Sequence, residues 1–179
     1  MEFLYVLIPL AVLGLWFIGV RNSFKLMEVK IEEADSGIDV ALTKRFDSLT
    51  KMWDLAKKYM EHEKSTLERV IQMRQSGTNT VAEKQAFNNE MSKLMSGINV
   101  VVEQYPDLKA NTNILELQSA VLDVEEHLQA ARRLYNANVS SYNQKVVVFP
   151  QSIVAGMINA TKKDFFEADE TKREDVKFN

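Results

Sequence analysis

Residues 3–20 have the sequence FLYVLIPLAVLGLWFIGV, a stretch of eighteen residues without one charged side chain. A helix of that length rises about 27 Å, close to the thickness of the hydrocarbon core of a bilayer. Twelve of the residues are Leu, Ile, Phe or Val, and on an insertion scale they contribute about −4 to −7 kcal/mol together. Pro9 lies in the first turns, where a missing amide donor costs least. The stretch predicts an N-terminal transmembrane helix, and we assign residues 1–22 to this anchor.

The alternative to an anchor is a cleaved secretory signal. Such a signal has a basic start, a shorter apolar core and a cleavage site with small residues. Here only Met1 and Glu2 precede the apolar stretch, which ends in Phe-Ile-Gly-Val-Arg without a small-x-small site. We therefore expect a retained, single-pass anchor with the lipid bilayer as its partner.

The charges that follow the anchor bear on topology. Arg21, Lys25 and Lys30 come after the span, whereas only Glu2 and the amino terminus precede it. Positive charge is retained on the cytoplasmic side, so the bias places the bulk of the chain in the cytoplasm. Glu28 offsets part of that charge, and an extracytoplasmic location stays open.

The composition limits the class of protein. Removing the anchor from 179 residues leaves enough chain for one domain with a real core. The absence of cysteine excludes disulfides and thiolate metal sites. A formal net charge of −3 gives no overall basic surface, so nucleic acid is not an expected partner. Six glycines and three prolines are few, which favours long helices.

Apolar residues recur at steps of three and four after the anchor, as they do on one face of a helix. The first helix is predicted to continue unbroken to about Ser76. Thr80 and Glu83 form a predicted capping box for a second helix, which ends at Pro106. Asn113 is the predicted start of a third helix, whose stripe alternates three and four in the manner of a coiled coil.

The stripe of the third helix closes at Phe149 and Pro150, and a short fourth helix is predicted after them. The prediction is an all-α fold: a single N-terminal transmembrane helix that continues into an antiparallel helical bundle of three long helices plus a short fourth. We assign residues 23–161 to the bundle and residues 162–179 to a charged C-terminal tail.

The helix lengths predict an association surface. The first helix would extend roughly 80 Å beyond the membrane, farther than the second and third helices could cover. An apolar stripe left in water is usually a contact site, and self-association or contact with another membrane protein is one hypothesis for it. The alternative is that the fourth helix and the tail fold back over the stripe. The predicted surface consists of Phe24, Met27, Ile31, Ala34, Ile38 and Ala41.

A search for catalytic patterns finds none. Di-iron bundles use Glu-x-x-His pairs, but neither His62 nor His127 has a Glu three residues before it. His62 lies in Glu-His-Glu, and Thr66 occupies the position where a zinc protease motif has its second histidine. The sequence has no Gly-rich phosphate loop and no nucleophile elbow, so we expect no cofactor and no enzyme.

Polar residues on the helices form a predicted structural network instead. Asp39 and Asp47 on the first helix are predicted to pair with the arginines of this network across the bundle and to fix its register. The Tyr-Asn pairs repeat seven residues apart, so they share one helix face and should hydrogen-bond to a neighbouring helix, with a ligand groove as the alternative. The candidate network contains Asp39, Arg45, Asp47, Arg132, Arg133, Tyr135, Asn136, Tyr142 and Asn143.

Several short blocks resemble a known family. They are IDVALTKRFD at 38–47, YMEHE at 59–63, YPDLKAN at 105–111, LELQ at 115–118, ARRLYN at 131–136, YN at 142–143 and FP at 149–150. In this order they are similar to blocks of the LemA family of bacterial membrane proteins. The resemblance implies an N-terminal anchor in the bacterial inner membrane followed by an antiparallel helical bundle.

The resemblance implies no reaction and supplies no catalytic residue. Related members look like accessory proteins in membrane organisation, including magnetosome membranes, and some are encoded beside a membrane metalloprotease. We therefore expect a membrane-anchored scaffold or adaptor that forms homo-oligomers or binds another membrane protein such as a membrane protease. The alternative is a ligand-binding or enzymatic bundle that uses carboxylates and the tyrosines of the third helix.

Overall fold

The computed structural model describes residues 2–60 and 64–167, and within these ranges every regular element is a helix. The helices are α1 (Glu2–Ala56), α2 (Lys64–Ser76), α3 (Val81–Gln104), α4 (Pro106–Lys109), α5 (Thr112–Val147) and α6 (Gln151–Met157), with a 3₁₀ turn at Lys57–Tyr59. The predicted all-α class, with one long apolar helix at the N-terminus, is confirmed. His62 and the tail after residue 167 lie outside the described residues.

The described residues form two compact units. Unit 1 contains the described residues up to Asp35 together with Arg133–Phe165, and unit 2 contains the described residues of 36–132 together with Phe166 and Glu167. Helices α1 and α5 each contribute to both units.

Unit 2 is a helical bundle built from the C-terminal part of α1, from α2 and α3, and from the N-terminal part of α5. Two contacts fix the direction of α5 against α1: Gly37 faces Ala131, and Arg45 pairs with Glu125, so the two helices are antiparallel. The interior is apolar and closely packed. Its most deeply buried side chains include Ile38, Leu49, Met52, Met91, Leu94, Ile98, Ile114 and Leu128.

Unit 1 pairs the N-terminal part of α1 with the C-terminal part of α5 and adds α6. The rings of Phe24 and Tyr142 meet edge to face, with centroids 5.6 Å apart. Asn138 Nδ2 donates to the carbonyl oxygen of Lys30 at 3.0 Å. These contacts make the two helices antiparallel in this unit as well.

Helix α1 ends earlier than predicted. It stops at Ala56 instead of continuing to Ser76, and the chain leaves helical geometry at Met60 (φ −120°, ψ 73°). Residues 57–63 contain neither Gly nor Pro, so the sequence carries no breaker there. Tertiary packing accounts for the end of the helix: Met60 is buried, and the centroids of the Tyr59 and Tyr105 rings lie 4.4 Å apart.

The helix caps follow the sequence with one exception. Glu83 N donates to Thr80 Oγ1 at 3.2 Å and Thr80 N donates to Glu83 Oε2 at 2.9 Å, which confirms the capping box. At the start of α5, Asn111 Oδ1 accepts from the amide of Asn113 at 2.9 Å. Asn111 therefore caps α5, and the prediction of Asn113 was wrong by two residues.

The predicted association surface is covered by the chain itself. Five of its six residues are at most 4% exposed and Met27 is half-buried; the five are Phe24, Ile31, Ala34, Ile38 and Ala41. In unit 1 the covering contact at Phe24 comes from Tyr142, and in unit 2 Ala131 lies against Gly37. The prediction that the other helices are too short to cover this stripe was wrong, because α1 ends at Ala56 while α5 continues to Val147.

The start of α1 differs from the rest of the helix in its exposure. Residues 5–16 are exposed throughout, although almost all of them are apolar. Among the described residues, α1 is the one helix long and apolar enough to cross a membrane by length and composition.

Candidate functional site

Arg45 is the centre of a buried polar cluster in unit 2. Its side chain, on α1, is only 4% exposed. One guanidinium nitrogen donates to the backbone and side-chain oxygens of Asn88 on α3. The other donates to Ser92 Oγ at 3.1 Å and lies 3.2 Å from Glu125 Oε2 on α5. One planar cation thus joins three helices, which suits the fork geometry of arginine.

Two further ion pairs in unit 2 involve the predicted aspartates. Lys84 Nζ, on a side chain 2% exposed, lies 2.7 Å from Asp39 Oδ1. Arg74 lies 3.9 Å from Asp47, and its guanidinium carbon is 4.4 Å from the centre of the Phe46 ring. Both aspartates therefore pair with cations of α2 and α3, and the predicted pairing with the network arginines was wrong.

The arginines of α5 have different surroundings from those predicted. Arg132 stacks its guanidinium carbon 4.4 Å from the ring centre of Phe166 and donates to the backbone oxygen of Glu167. Arg133 is exposed. Phe166 is buried at 3% exposure, so residues 166 and 167 of the predicted tail pack within unit 2.

The Tyr and Asn residues of α5 bind neighbouring segments within unit 1. Tyr142 donates its hydroxyl to Glu28 Oε1 at 3.3 Å, and Tyr135 donates to the carbonyl oxygen of Asp164 at 3.2 Å. Asn143 donates to the carbonyl oxygen of Lys163 and accepts from its amide, both at 2.8 Å. The predicted contact with a neighbouring helix thus holds for Tyr142, whereas Tyr135 and Asn143 bind the segment after α6. Asn136 is half-buried.

Burial sets the ionisation of these tyrosines. Burial, and then the charges of Asp35 and Asp164, raise the pKa of Tyr135. Burial and the neighbouring Glu28 raise the pKa of Tyr142 in the same way. A hydrogen bond from Lys25 lowers the pKa of Glu28, against the opposing effect of burial. Both phenols are therefore protonated donors at neutral pH, which suits structural hydrogen bonds better than general base catalysis.

Within residues 2–60 and 64–167, no group of three or more His, Asp or Glu side chains is placed to hold a metal ion. His127 lies on the wall of a shallow, mainly apolar groove of about 360 Å³ in unit 2, beside Val40 and Val124. The polar clusters of both units thus hold segments of the chain together.

Several members of these clusters were missed in the sequence, among them Lys84, Asn88 and Glu125. A clear signal for two of these was present. Lys84 precedes Phe87 by three residues and Asn88 precedes Met91 by three, so they lie on the apolar face of α3. A polar residue inside an apolar stripe indicates a buried partner. Glu125 follows Val124 at the edge of the apolar stripe of α5, so its signal is weaker, and its side chain is 25% exposed.

Comparison with known proteins identifies the family of the chain. The model of the LemA family matches residues 34–179. Protein LemA of Metamycoplasma hominis is 28% identical over 181 aligned residues, which cover 98% of this chain and 83% of the relative. Magnetosome protein MamQ 2 of Paramagnetospirillum magneticum is 26% identical over 81 residues, or 45% of this chain and 28% of that protein. Magnetosome protein MamQ of Magnetospirillum gryphiswaldense is 24% identical over 80 residues, with the same coverage. The chain belongs to the LemA family.

Proposed function

We propose that this LemA protein is a single-pass membrane scaffold or adaptor that works by non-covalent association. The observation that carries the proposal is the contrast along α1, where residues 5–16 are apolar and exposed while Phe24 and Ile38 are fully buried. An exposed apolar helix of this length is stable in a bilayer and unfavourable in water. The anchor therefore holds the bundle beside a membrane.

The polar clusters support a structural function over a catalytic one. The Arg45 guanidinium joins α1 to α3 and α5, and the hydroxyls of Tyr135 and Tyr142 already donate within the chain. A ligand or substrate would have to displace these internal bonds, each of which contributes about 0.5–1.5 kcal/mol. The carboxylate and tyrosine chemistry of the enzymatic alternative has no observation in its favour.

The partner and the topology belong to the same proposal. The partner is a second copy of the chain or another membrane protein, such as a membrane protease. Because the Phe24 to Ala41 stripe is buried, association uses a different surface. The cations at Arg21, Lys25 and Lys30 favour a cytoplasmic bundle at the bacterial inner membrane.

The mass of the full-length protein, extracted together with its surrounding lipid, tests the proposal. Native mass spectrometry should find a multimer of the chain, or a complex with a second membrane protein that copurifies from the cells of origin. A single chain with only lipid attached, at every extraction condition that preserves its helicity, would contradict the scaffold.

A further inference from the structure

The corner between α5 and α6 in unit 1 carries an exposed apolar patch. Five large apolar side chains lie within eleven residues of sequence and are each half or more exposed. They are Val147 (54%), Val148 (52%), Phe149 (76%), Ile153 (50%) and Met157 (68%). Val154 and Ala155 are buried on the other side of α6, so the patch is not needed for the packing of this helix. We call it the corner patch.

The corner patch lies beside the membrane end of α1. Lys145 Nζ contacts Ser23 Oγ, and α5 runs antiparallel to α1 in this unit. Residues after Lys145 are therefore level with residues before Ser23. Phe17 is the first residue of α1, counting from Tyr5, whose side chain is partly covered.

A cationic cavity adjoins the corner patch. It has a volume of about 500 Å³, and Met157 and Ile158 form one wall. Arg21, Lys25 and Lys163 line it, against the single carboxylate of Glu28. Lipid phosphates are attracted to such clusters, with each Lys or Arg near an anionic surface contributing about 1 kcal/mol, or roughly a fivefold change in binding.

We propose that the corner patch inserts into the interfacial region of the same leaflet in which α1 ends, with the cavity cations over anionic lipid headgroups. This inference rests on the proposed membrane anchor. Apolar side chains flanked by cations typically lie about 5–10 Å into the boundary between headgroups and acyl chains. Met157 of the patch lines the same cavity as Arg21, which directly follows the apolar segment of α1, so the bilayer that holds α1 is within reach of the patch. A second contact point fixes the tilt and rotation of the helix, which an anchor alone leaves free.

The chain has no cysteine, so single cysteines can carry a spin label without background. The variants are Met157→Cys in the patch, Leu134→Cys as a matched control in unit 1, and Ile8→Cys in the anchor. Leu134 is 58% exposed, comparable to Met157, but precedes Val147 by thirteen residues, about 20 Å along α5. The full-length protein is reconstituted in vesicles of equal parts phosphatidylcholine and phosphatidylglycerol.

Collision rates with oxygen, which concentrates in lipid, and with a water-soluble nickel chelate then report the location of each label. We expect oxygen to dominate at positions 8 and 157, and nickel to dominate at position 134. A label at 157 that behaves like the one at 134, while position 8 is in lipid, would overturn the docking and leave the anchor standing. Nickel dominance at position 8 would overturn the anchor itself. A label at 157 that is shielded from both reagents would indicate a protein occupant and contradict lipid docking.

The headgroup contact has its own test. Arg21→Gln combined with Lys163→Gln should reduce the immersion of the label at 157 in the anionic vesicles to the value found in pure phosphatidylcholine. Lys30→Gln, which removes a cation that does not line the cavity, should leave the immersion unchanged. Equal immersion of all three proteins in both lipids would overturn the headgroup part of the proposal.

Discussion

Unit 2 and unit 1 are stabilised by different kinds of polar contact. In unit 2 two of the buried polar side chains are cations, Arg45 at 4% and Lys84 at 2% exposure, and they pair between helices. In unit 1 the polar contacts of Tyr135 and Asn143 go to the backbone of the segment after α6. The difference follows from the kind of segment that these contacts hold, which is a regular helix in unit 2 and the irregular segment after α6 in unit 1.

A bundle of regular helices satisfies its own backbone, so its charged side chains are free to set the register between helices. A segment without regular structure has no ladder and needs partners for its amides and carbonyls. Asn143 provides one donor to the carbonyl oxygen and one acceptor to the amide of the same residue, Lys163, as a neighbouring strand would. The comparison predicts large electrostatic effects in unit 2 and smaller, localised effects in unit 1.

The largest effect on a polar contact is expected from Arg45→Met. Loss of the cation leaves Glu125 and the Asn88 and Ser92 oxygens without their shared donor. Removing one partner from a buried pair should lower the free energy of unfolding by about 2–4 kcal/mol. Lys51→Met, at an exposed position of α1, should change it by less than about 0.5 kcal/mol. Urea unfolding in detergent, followed by circular dichroism, measures both; similar losses in the two variants would remove Arg45 from the centre of unit 2.

Asn143→Ala should have a smaller and local effect in unit 1. It removes both hydrogen bonds to Lys163, at a cost of about 1–2 kcal/mol. Hydrogen exchange should speed up at the Lys163 amide while the amides of α3 keep their protection. Gln144→Ala removes a side-chain amide that donates to Ser140 Oγ in the neighbouring turn and should leave Lys163 protected. Uniform loss of protection across both units would break the distinction between them.

Tyr142→Phe distinguishes the contribution of the Tyr142 hydroxyl to stability from that of its ring. The variant loses the bond to Glu28 but keeps the edge contact with Phe24. We expect a loss of about 0.5–1.5 kcal/mol for one partly exposed hydrogen bond. Tyr142→Ala should cost about 3–5 kcal/mol, because the buried ring is lost as well. Equal losses in the two variants would mean that the hydroxyl, not the ring, holds α5 to α1 in unit 1.

The smallest effect is expected in the pH dependence of the free energy of unfolding, through the carboxyl of Glu28. The pKa of its carboxyl lies below the ordinary value of 4.5 in the folded chain, mainly because Lys25 donates to it. The resulting stabilisation is complete above pH 4.5 and is lost as the pH falls through the lower, folded pKa. Glu28→Gln should flatten the acid limb of the stability curve. An unchanged acid limb in Glu28→Gln would remove this contribution.

Local signals predicted much of the fold. The Thr80–Glu83 box and the stop at Pro106 appear as predicted because caps and prolines act over three or four residues. The end of α1 at Ala56 could not be predicted, since tertiary packing of Met60 and Tyr59 decides it and no residue from 57 to 63 breaks a helix. The burial of Ile31 and Ile38 was missed as well, because that prediction was based on a first helix that continues to Ser76.

The candidate network was predicted by residue type more successfully than by pairing. Arg45 and Tyr142 are indeed buried and bonded. Which acid meets which cation depends on rotation about the helix axes, a quantity that a single stripe does not determine. Asp39 therefore pairs with Lys84, which the sequence analysis did not consider.

The central claim is that the apolar, exposed start of α1 anchors the chain. The most direct measurement is membrane retention in alkaline carbonate for the full chain and for Leu10→Arg combined with Leu13→Arg. Two arginines near the centre of the span cost about 5–7 kcal/mol, enough to offset its insertion energy. We predict that the unaltered chain stays in the membrane pellet and the double variant moves to the supernatant. Leu122→Arg combined with Leu134→Arg, at comparably exposed positions of α5, should stay in the pellet. Release of the unaltered chain would contradict the anchor.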